Sequence, residues 1–183
     1  MNQSYSILVL TDNKIDYLAR YVINSLEKTF NATIENQHLN LDISPFINVM
    51  RNQVNALKLL NQLNKEYKGN PLLRIIAILD EDAYIENFNF IFGLARNTWG
   101  GIVFTKRLRP EFYGMPHHKR LFIVRVIKEV IHELGHSYGL THCPSRKCVM
   151  RYSNTVWEVD EKTTYFCPSC RLKLETHYLG LIK

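Results

Sequence analysis

Cysteine is missing from the first 142 of the chain's 183 residues; all four cysteines lie at positions 143, 148, 167 and 170. The N-terminal three-quarters therefore has no thiol staples, and a chain of this length can bury a full core without them. No stretch approaches the roughly 20 consecutive apolar residues of a membrane span, although apolar residues make up 46% of the whole. No N-terminal apolar run with a charged flank and cleavage site marks secretion, so a cytoplasmic location is expected. Internal repeats and low-complexity segments are absent too, which leaves a soluble, single-domain protein. Acidic residues are locally scarce. Between Val103 and Lys128 only Glu111 stands against seven basic residues, at 106, 107, 109, 119, 120, 125 and 128, in a chain of net charge +6. Such a patch could steer an anionic partner or an acidic peptide. No recognition helix, RNA-binding aromatic set or Gly-rich clamp accompanies it, which argues against nucleic acid.

What is present reads as alternating strands and helices, hence a three-layer α/β architecture with a mostly parallel sheet. Ser6–Leu10 and Leu72–Leu79 are apolar runs suited to buried strands. Asp16–Thr29 and Val49–Tyr67 carry helical periodicity, and Thr33–Ile43 is extended in character. Phe88–Phe92 and Gly101–Lys106 are expected at the sheet edge, with Gly101–Lys106 the candidate rim for an extended peptide. Asp80, Glu81 and Asp82 after the strongest strand read as a solvated turn or cap and receive no role.

His132-Glu133-Leu134-Gly135-His136-Ser137-Tyr138-Gly139-Leu140-Thr141-His142 has the pattern H-E-x-x-H-x-x-G-x-x-H. Two histidines four apart point from the same helical face. Glu133 lies next to the first, where it can reach a water on a metal without binding the metal. Gly139 can take φ > 0, end the helix and reverse the chain so that His142 becomes a third ligand. The pattern reads as a catalytic zinc site with an open fourth position. The flanking segment Leu121–Ile131 is polar only at 125, 128 and 129, so the helix is mostly buried with one polar stripe leading to the metal face. His117 and His118, at the helix start, are too far along a continuous helix to share that metal.

The spacing Cys143-x4-Cys148 and Cys167-x2-Cys170 reads, in a reducing compartment, as a closed structural zinc site before it reads as two disulfides or a redox pair.

With Cys143 directly after His142, Met150 two past Cys148, and Cys167/Cys170 following, the segment resembles the archaemetzincins, a branch of the metzincin metalloproteases. Sixteen residues separate Met150 from Cys167, close to the family spacing, and a loop would absorb a difference of one. Weaker similarity extends through residues 79–84 and 90–95. The resemblance implies a metzincin-like (zincin) fold with a twisted sheet, an active-site helix and a small zinc-stapled C-terminal part. It implies one catalytic domain over 1–183, divided into an N-terminal subdomain 1–139 and a C-terminal subdomain 140–183. It further implies two Zn²⁺ per chain: a catalytic one on His132, His136 and His142, and a structural one on Cys143, Cys148, Cys167 and Cys170. Glu133 would be the general base and Met150 the Met-turn residue beneath the site. Tyr152, two past Met150, matches a transition-state donor of astacin-like and serralysin-like metzincins. The expected function is a zinc metallopeptidase acting on a peptide or protein substrate. The alternative is a catalytically silent zinc protein that binds a peptide or regulatory partner in the same cleft, for which an intact Glu133 would be superfluous.

Overall fold

The computed structural model describes residues 4–68 and 70–183. Among these, a five-stranded sheet is built from β1 (Tyr5–Thr11), β2 (Ala32–His38), β5 (Leu73–Leu79), β7 (Gly93–Arg96) and β8 (Gly100–Phe104), in the spatial order β2-β1-β5-β8-β7. β2, β1, β5 and β8 run parallel, and only β7 runs antiparallel. A smaller sheet joins β3 (Ile47–Asn48), β4 (Gln53–Asn55) and β6 (Ala83–Tyr84). Helices α1 (Ala19–Thr29) and α3 (Lys119–Ser137) cover one face of the large sheet, and α2 (Ala56–Glu66) covers the other.

Strand alternation divides the apolar residues between two cores. Ile7, Val9, Ile76, Ile78 and Val103 face α1, α3 and the C-terminal segment, while Leu10, Ile75, Ala77, Leu79, Ile102 and Phe104 face α2. The C-terminal segment contains α4 (Val156–Glu161) and α5 (Pro168–His177) and shares the first core through Val156, Phe166, Leu174 and Leu181. Its end returns to α1, with an antiparallel bridge between Ile182 and Phe30. Tyr5 in β1 donates to the Leu179 carbonyl at 3.2 Å.

Three expectations need correction. The helix expected over Val49–Tyr67 begins only at Ala56, and residues 47–55 form the β3–β4 hairpin. Asparagines explain this: Asn52 takes φ 51°, and the Asn55 side chain accepts from the Lys58 amide as the N-cap. Gly101–Lys106 is not an edge. β8 is buried throughout between β5 and β7, so the edge strand is β7. A tight return at Asn97–Trp99, with Thr98 at φ 67°, folds the chain back and gives β8 the interior place suited to its continuous apolar run. Phe88–Phe92 forms a loop rather than a strand, tied to the sheets by the Ile91–Ala83 bridge, by Gln53 of β4 at the Asn89 carbonyl and by the Phe104 amide of β8 at the Phe92 carbonyl.

The acids after β5 are not a solvated turn. Asp80 accepts two bonds from Arg109, at 3.0 and 2.8 Å, and one from Thr105 at 2.8 Å. Asp82 accepts from Arg107 at 2.7 Å and Gln53 at 3.1 Å, and Glu81 pairs with Lys14 at 2.8 Å. The basic patch shrinks by the same account, leaving Lys106, Lys119 and Arg120 toward solvent. Arg107 and Arg109 are paired as above, while Arg125 and Lys128 are buried and bonded within α3's packing. His118 caps α3, accepting from the Leu121 amide at 3.2 Å, and His117 pairs with Glu111.

Burial pushes the Asp80 carboxyl up, but the Arg109 and Thr105 bonds outweigh it and hold the group below its ordinary value. A depressed folded value adds stability above the unfolded pKa of about 3.9 and loses it as pH falls through the folded value. Wild type should therefore lose more urea-unfolding stability than Asp80→Asn between about pH 5 and pH 3. Parallel losses in the two proteins would show that the Arg109 pair contributes nothing.

Candidate metal centre and cleft

α3 carries polar groups into the interior, and each finds a partner in the segment that follows it. Arg125, fully buried, makes a two-pronged pair with Asp160 at 2.8 and 2.7 Å and donates to the Leu108 carbonyl at 3.0 Å. Lys128 donates to the carbonyls of Val159 and Asp160 at 2.9 and 3.1 Å. Glu129 lies 2.8 Å from Lys162, both buried; the approach is too oblique for a hydrogen bond, so the pair is held by charge. One turn further on, His132 donates from Nδ1 to the Val149 carbonyl at 2.8 Å.

α3 ends in a Schellman arrangement. Gly139 at φ 88° donates to His136 O at 2.9 Å, and Leu140 donates to Gly135 O at 3.0 Å. The reversal places the Leu140 carbonyl 2.7 Å from His136 Nδ1 and brings His142 alongside. A carbonyl only accepts, so Nδ1 of both His132 and His136 carries the proton and both Nε2 atoms carry lone pairs. His136 Nε2 lies 3.0 Å from His132 Nε2 and 3.2 Å from His142 Nε2. Two acceptors at 3.0 Å repel unless a cation lies between them. A tetrahedral zinc with bonds near 2.0 Å would separate its nitrogens by about 3.3 Å. The imidazole triad thus fits a zinc ion with the fourth position facing the cleft.

The cysteines meet a parallel test. Cys143 and Cys167 sulfurs are 3.7 Å apart, Cys148 and Cys170 sulfurs 3.8 Å. A disulfide requires about 2.05 Å, whereas a tetrahedral zinc–thiolate site gives about 3.8 Å between sulfurs. The four donors lie within 4.8 Å of one another, as do the three imidazoles. Burial opposes ionisation, yet the Cys170 amide and neighbouring sulfurs bring Cys167 down to about 7, while burial pushes Cys148 and Cys170 up.

Glu133 faces the cleft beside the triad, and its position depends on glycine. A Cβ at Gly93 would lie 2.4 Å from Glu133 Oε1, and one at Gly101 would lie 2.9 Å from Glu133 Cβ. Burial pushes the Glu133 carboxyl well above its ordinary value; Glu129 adds to the shift and Lys162 opposes it. Burial, followed by Lys162 and His136, holds His132 well below, and burial also lowers His136 and His142. All three imidazoles are therefore neutral donors at neutral pH. Tyr152, 43% exposed, places its ring 4.8 Å from that of His142. Met150 is fully buried beneath Gly135.

These groups open on a cleft of about 650 Å³. Residues 85–95 form one lining segment and Tyr152–Asn154 another, with Glu129, His132, Glu133 and His136 contributed by α3. The loop 85–92 is braced from behind: Arg51 donates to the Phe88 and Asn89 carbonyls at 3.3 and 3.0 Å, and Gln53 to the Asn89 carbonyl at 2.9 Å. The sequence reading assigned no role to Lys162 or Gly93 and took part of this loop for an edge strand. The only available signal was the polar stripe at 125, 128 and 129, which demands partners but does not name them.

Comparison with known proteins agrees with this geometry. The model of peptidase family M54 matches residues 9–176. The archaemetzincin of Sulfolobus acidocaldarius is 37% identical over 177 residues, covering 93% of this chain and 96% of the relative. The crystal structure of archaemetzincin from Methanopyrus kandleri superposes with a TM-score of 0.78 at 30% identity, covering 96% of each chain. A zinc-dependent peptidase from Methanocorpusculum labreanum superposes at 0.74 with 26% identity, covering 92% of this chain and 99% of that one.

A Cβ on Gly135 would meet Met150 Sδ at 2.3 Å and Phe166 Cε1 at 3.1 Å. Alanine gains about 1 kcal/mol of helix propensity over glycine, against an overpacking cost of about 1–3 kcal/mol. Gly135→Ala should come out net destabilising in urea titration. A more stable variant would mean that Met150 is free to swing aside.

Proposed function

The chain belongs to peptidase family M54, the archaemetzincin family of zinc metallopeptidases, and on that footing we propose that it cleaves peptide bonds with His132, His136 and His142 as zinc ligands and Glu133 as general base. The observation that carries this reading is the pair of Nδ1–H bonds to the Val149 and Leu140 carbonyls, which turns two Nε2 lone pairs toward one point. Zinc bound there would supply Lewis acidity and lower the pKa of a water toward about 7. Glu133 takes the proton of the attacking water as its oxygen bonds to the carbonyl carbon. When the C–N bond breaks, Glu133 passes that proton to the leaving amine. A substrate strand would lie along β7, the edge of the five-stranded sheet among the described residues, with Gly93 leaving room for the carboxylate. Tyr152 is assigned as a donor to the developing oxyanion, from its place beside His142.

We assign a second, structural zinc to Cys143, Cys148, Cys167 and Cys170, and the Met-turn to Met150. The two centres are wired together. The Cys143 amide donates to the Met150 carbonyl at 2.9 Å, and Val149, between Cys148 and Met150, holds His132. The subdomains 1–139 and 140–183 are read as one catalytic domain, a reading supported by their common core.

Metal analysis should find two zincs per chain, and peptide-library cleavage should fall by about 10²–10⁴ in Glu133→Ala. Two zincs with wild-type cleavage no higher than the mutant's would overturn the proposed mechanism. In the same assay Tyr152→Phe should slow the chemical step, and an unchanged kcat would remove the tyrosine from it. Cys143→Ser should weaken zinc binding at the histidines as well as folding. Unaltered affinity there in a folded mutant would separate the two centres.

A further inference from the structure

Beyond the cleft, one band of rings on the surface has no role in the hydrolytic machinery. It begins inside the cleft, where Phe92 meets Phe90 edge-on at 5.2 Å between centroids. Arg107 lies over Phe90 at 4.3 Å and over Phe112 at 4.8 Å. Phe112 meets Tyr113 at 5.2 Å, and Tyr113 meets Trp157 at 5.6 Å. Trp157 is on α4, three residues past Asn154, which lines the cleft. The band thus starts on one lining segment of the cleft and ends just past another. Phe112 is 42% exposed and Trp157 51% exposed.

Its parts are held in place. Arg107 is anchored by Asp82 at 2.7 Å, and the Tyr113 hydroxyl donates to the Arg107 carbonyl at 2.9 Å. With its charge matched by Asp82, Arg107 acts here as a flat spacer between rings rather than as a free cation. Rigid, half-exposed aromatic surface costs little ordering on binding and suits apolar side chains.

We infer that the Phe90–Arg107–Phe112–Tyr113–Trp157 band is an extended substrate-docking surface, taking a large apolar side chain of the polypeptide several residues from the bond cleaved. The inference rests on the peptidase reading for the identity of the occupant. The band's continuity with the cleft selects that occupant, because a chain lying in the cleft passes directly onto it.

The chain offers its own reporter. Of its two tryptophans, Trp99 is 4% exposed, so changes in solvent quenching come from Trp157. The probes are peptides of about 14 residues, roughly 45 Å extended, with one phenylalanine walked through a Ser/Gly background, and matched peptides of about six residues. In zinc-loaded Glu133→Gln protein, long peptides with a suitably placed phenylalanine should shield Trp157 from acrylamide. Binding should weaken about tenfold without that phenylalanine or in Phe112→Ala. In the active enzyme, Trp157→Ala should raise KM for the long peptides about tenfold, leave kcat unchanged and spare the short ones. Equal effects on long and short peptides, or no shielding of Trp157, would overturn the docking surface. Shielding without any cleavage would sustain the band and sink the peptidase mechanism, so the two failures are distinguishable.

Discussion

A helix that carries two cations, a carboxylate and an imidazole into a protein interior is tolerable only if each finds a partner there. Here the partners of Arg125, Lys128, Glu129 and His132 are Asp160, the Val159 carbonyl, Lys162 and the Val149 carbonyl, all from a span of 14 residues in sequence, 149–162. Leaving any one of these buried groups unmatched costs several times the roughly 1 kcal/mol that a satisfied neutral hydrogen bond contributes. α3 and the segment 149–162 therefore specify each other. The same segment supplies Met150 under Gly135 and Tyr152 beside His142, so the helix that presents the imidazoles cannot be in place without the loop that completes the cleft.

Close approach governs the other side of the site. Gly93 and Gly101, on neighbouring antiparallel strands, leave the space that the Glu133 side chain occupies against the sheet. β7 thereby serves two ends: among the described residues it is the edge strand bordering the cleft, and its Gly93 leaves room for Glu133 beside the triad. The braced loop 85–92 continues that wall, fixed by Arg51 and Gln53 from the β3–β4 hairpin.

Much of the centre was legible because it is local. The eleven residues from His132 to His142 contain both the helical repeat and the glycine that ends it, and the cysteines stand at ligand spacing within 28 residues of one another. β1 and β5 announced themselves as unbroken apolar runs, whereas β2, with the sequence ATIENQH, carries no such signal. What stayed hidden was pairing at a distance. Lys162 lies 33 residues from Glu129, Asp80 and Arg109 are 29 apart, and no spacing rule links such groups. Counting charges along 103–128 suggested a basic surface, whereas Arg107 and Arg109 are paired with acids and Arg125 and Lys128 are buried in the fold. The missed hairpin has a similar origin. Met50 sits at helical spacing from Val54 and Leu57, yet Asn52 and Asn55 are a left-handed turn and a cap.

The tie between the C-terminal segment and β1 has a kinetic side. Tyr5 bonds to the Leu179 carbonyl across 174 residues, and Phe30 bridges Ile182. Closing loops of that length comes late in folding, because the entropy is lost before the contacts compensate. α3's buried charges, whose partners lie at 149–162, can be matched over far shorter loops than the one that docks the end of the chain on β1. The unfolding barrier gains from contacts of this kind, which form after the transition state. A tie of this kind slows the release of the C-terminal end from β1 and α1, and so acts on the rate of unfolding as well as on equilibrium stability.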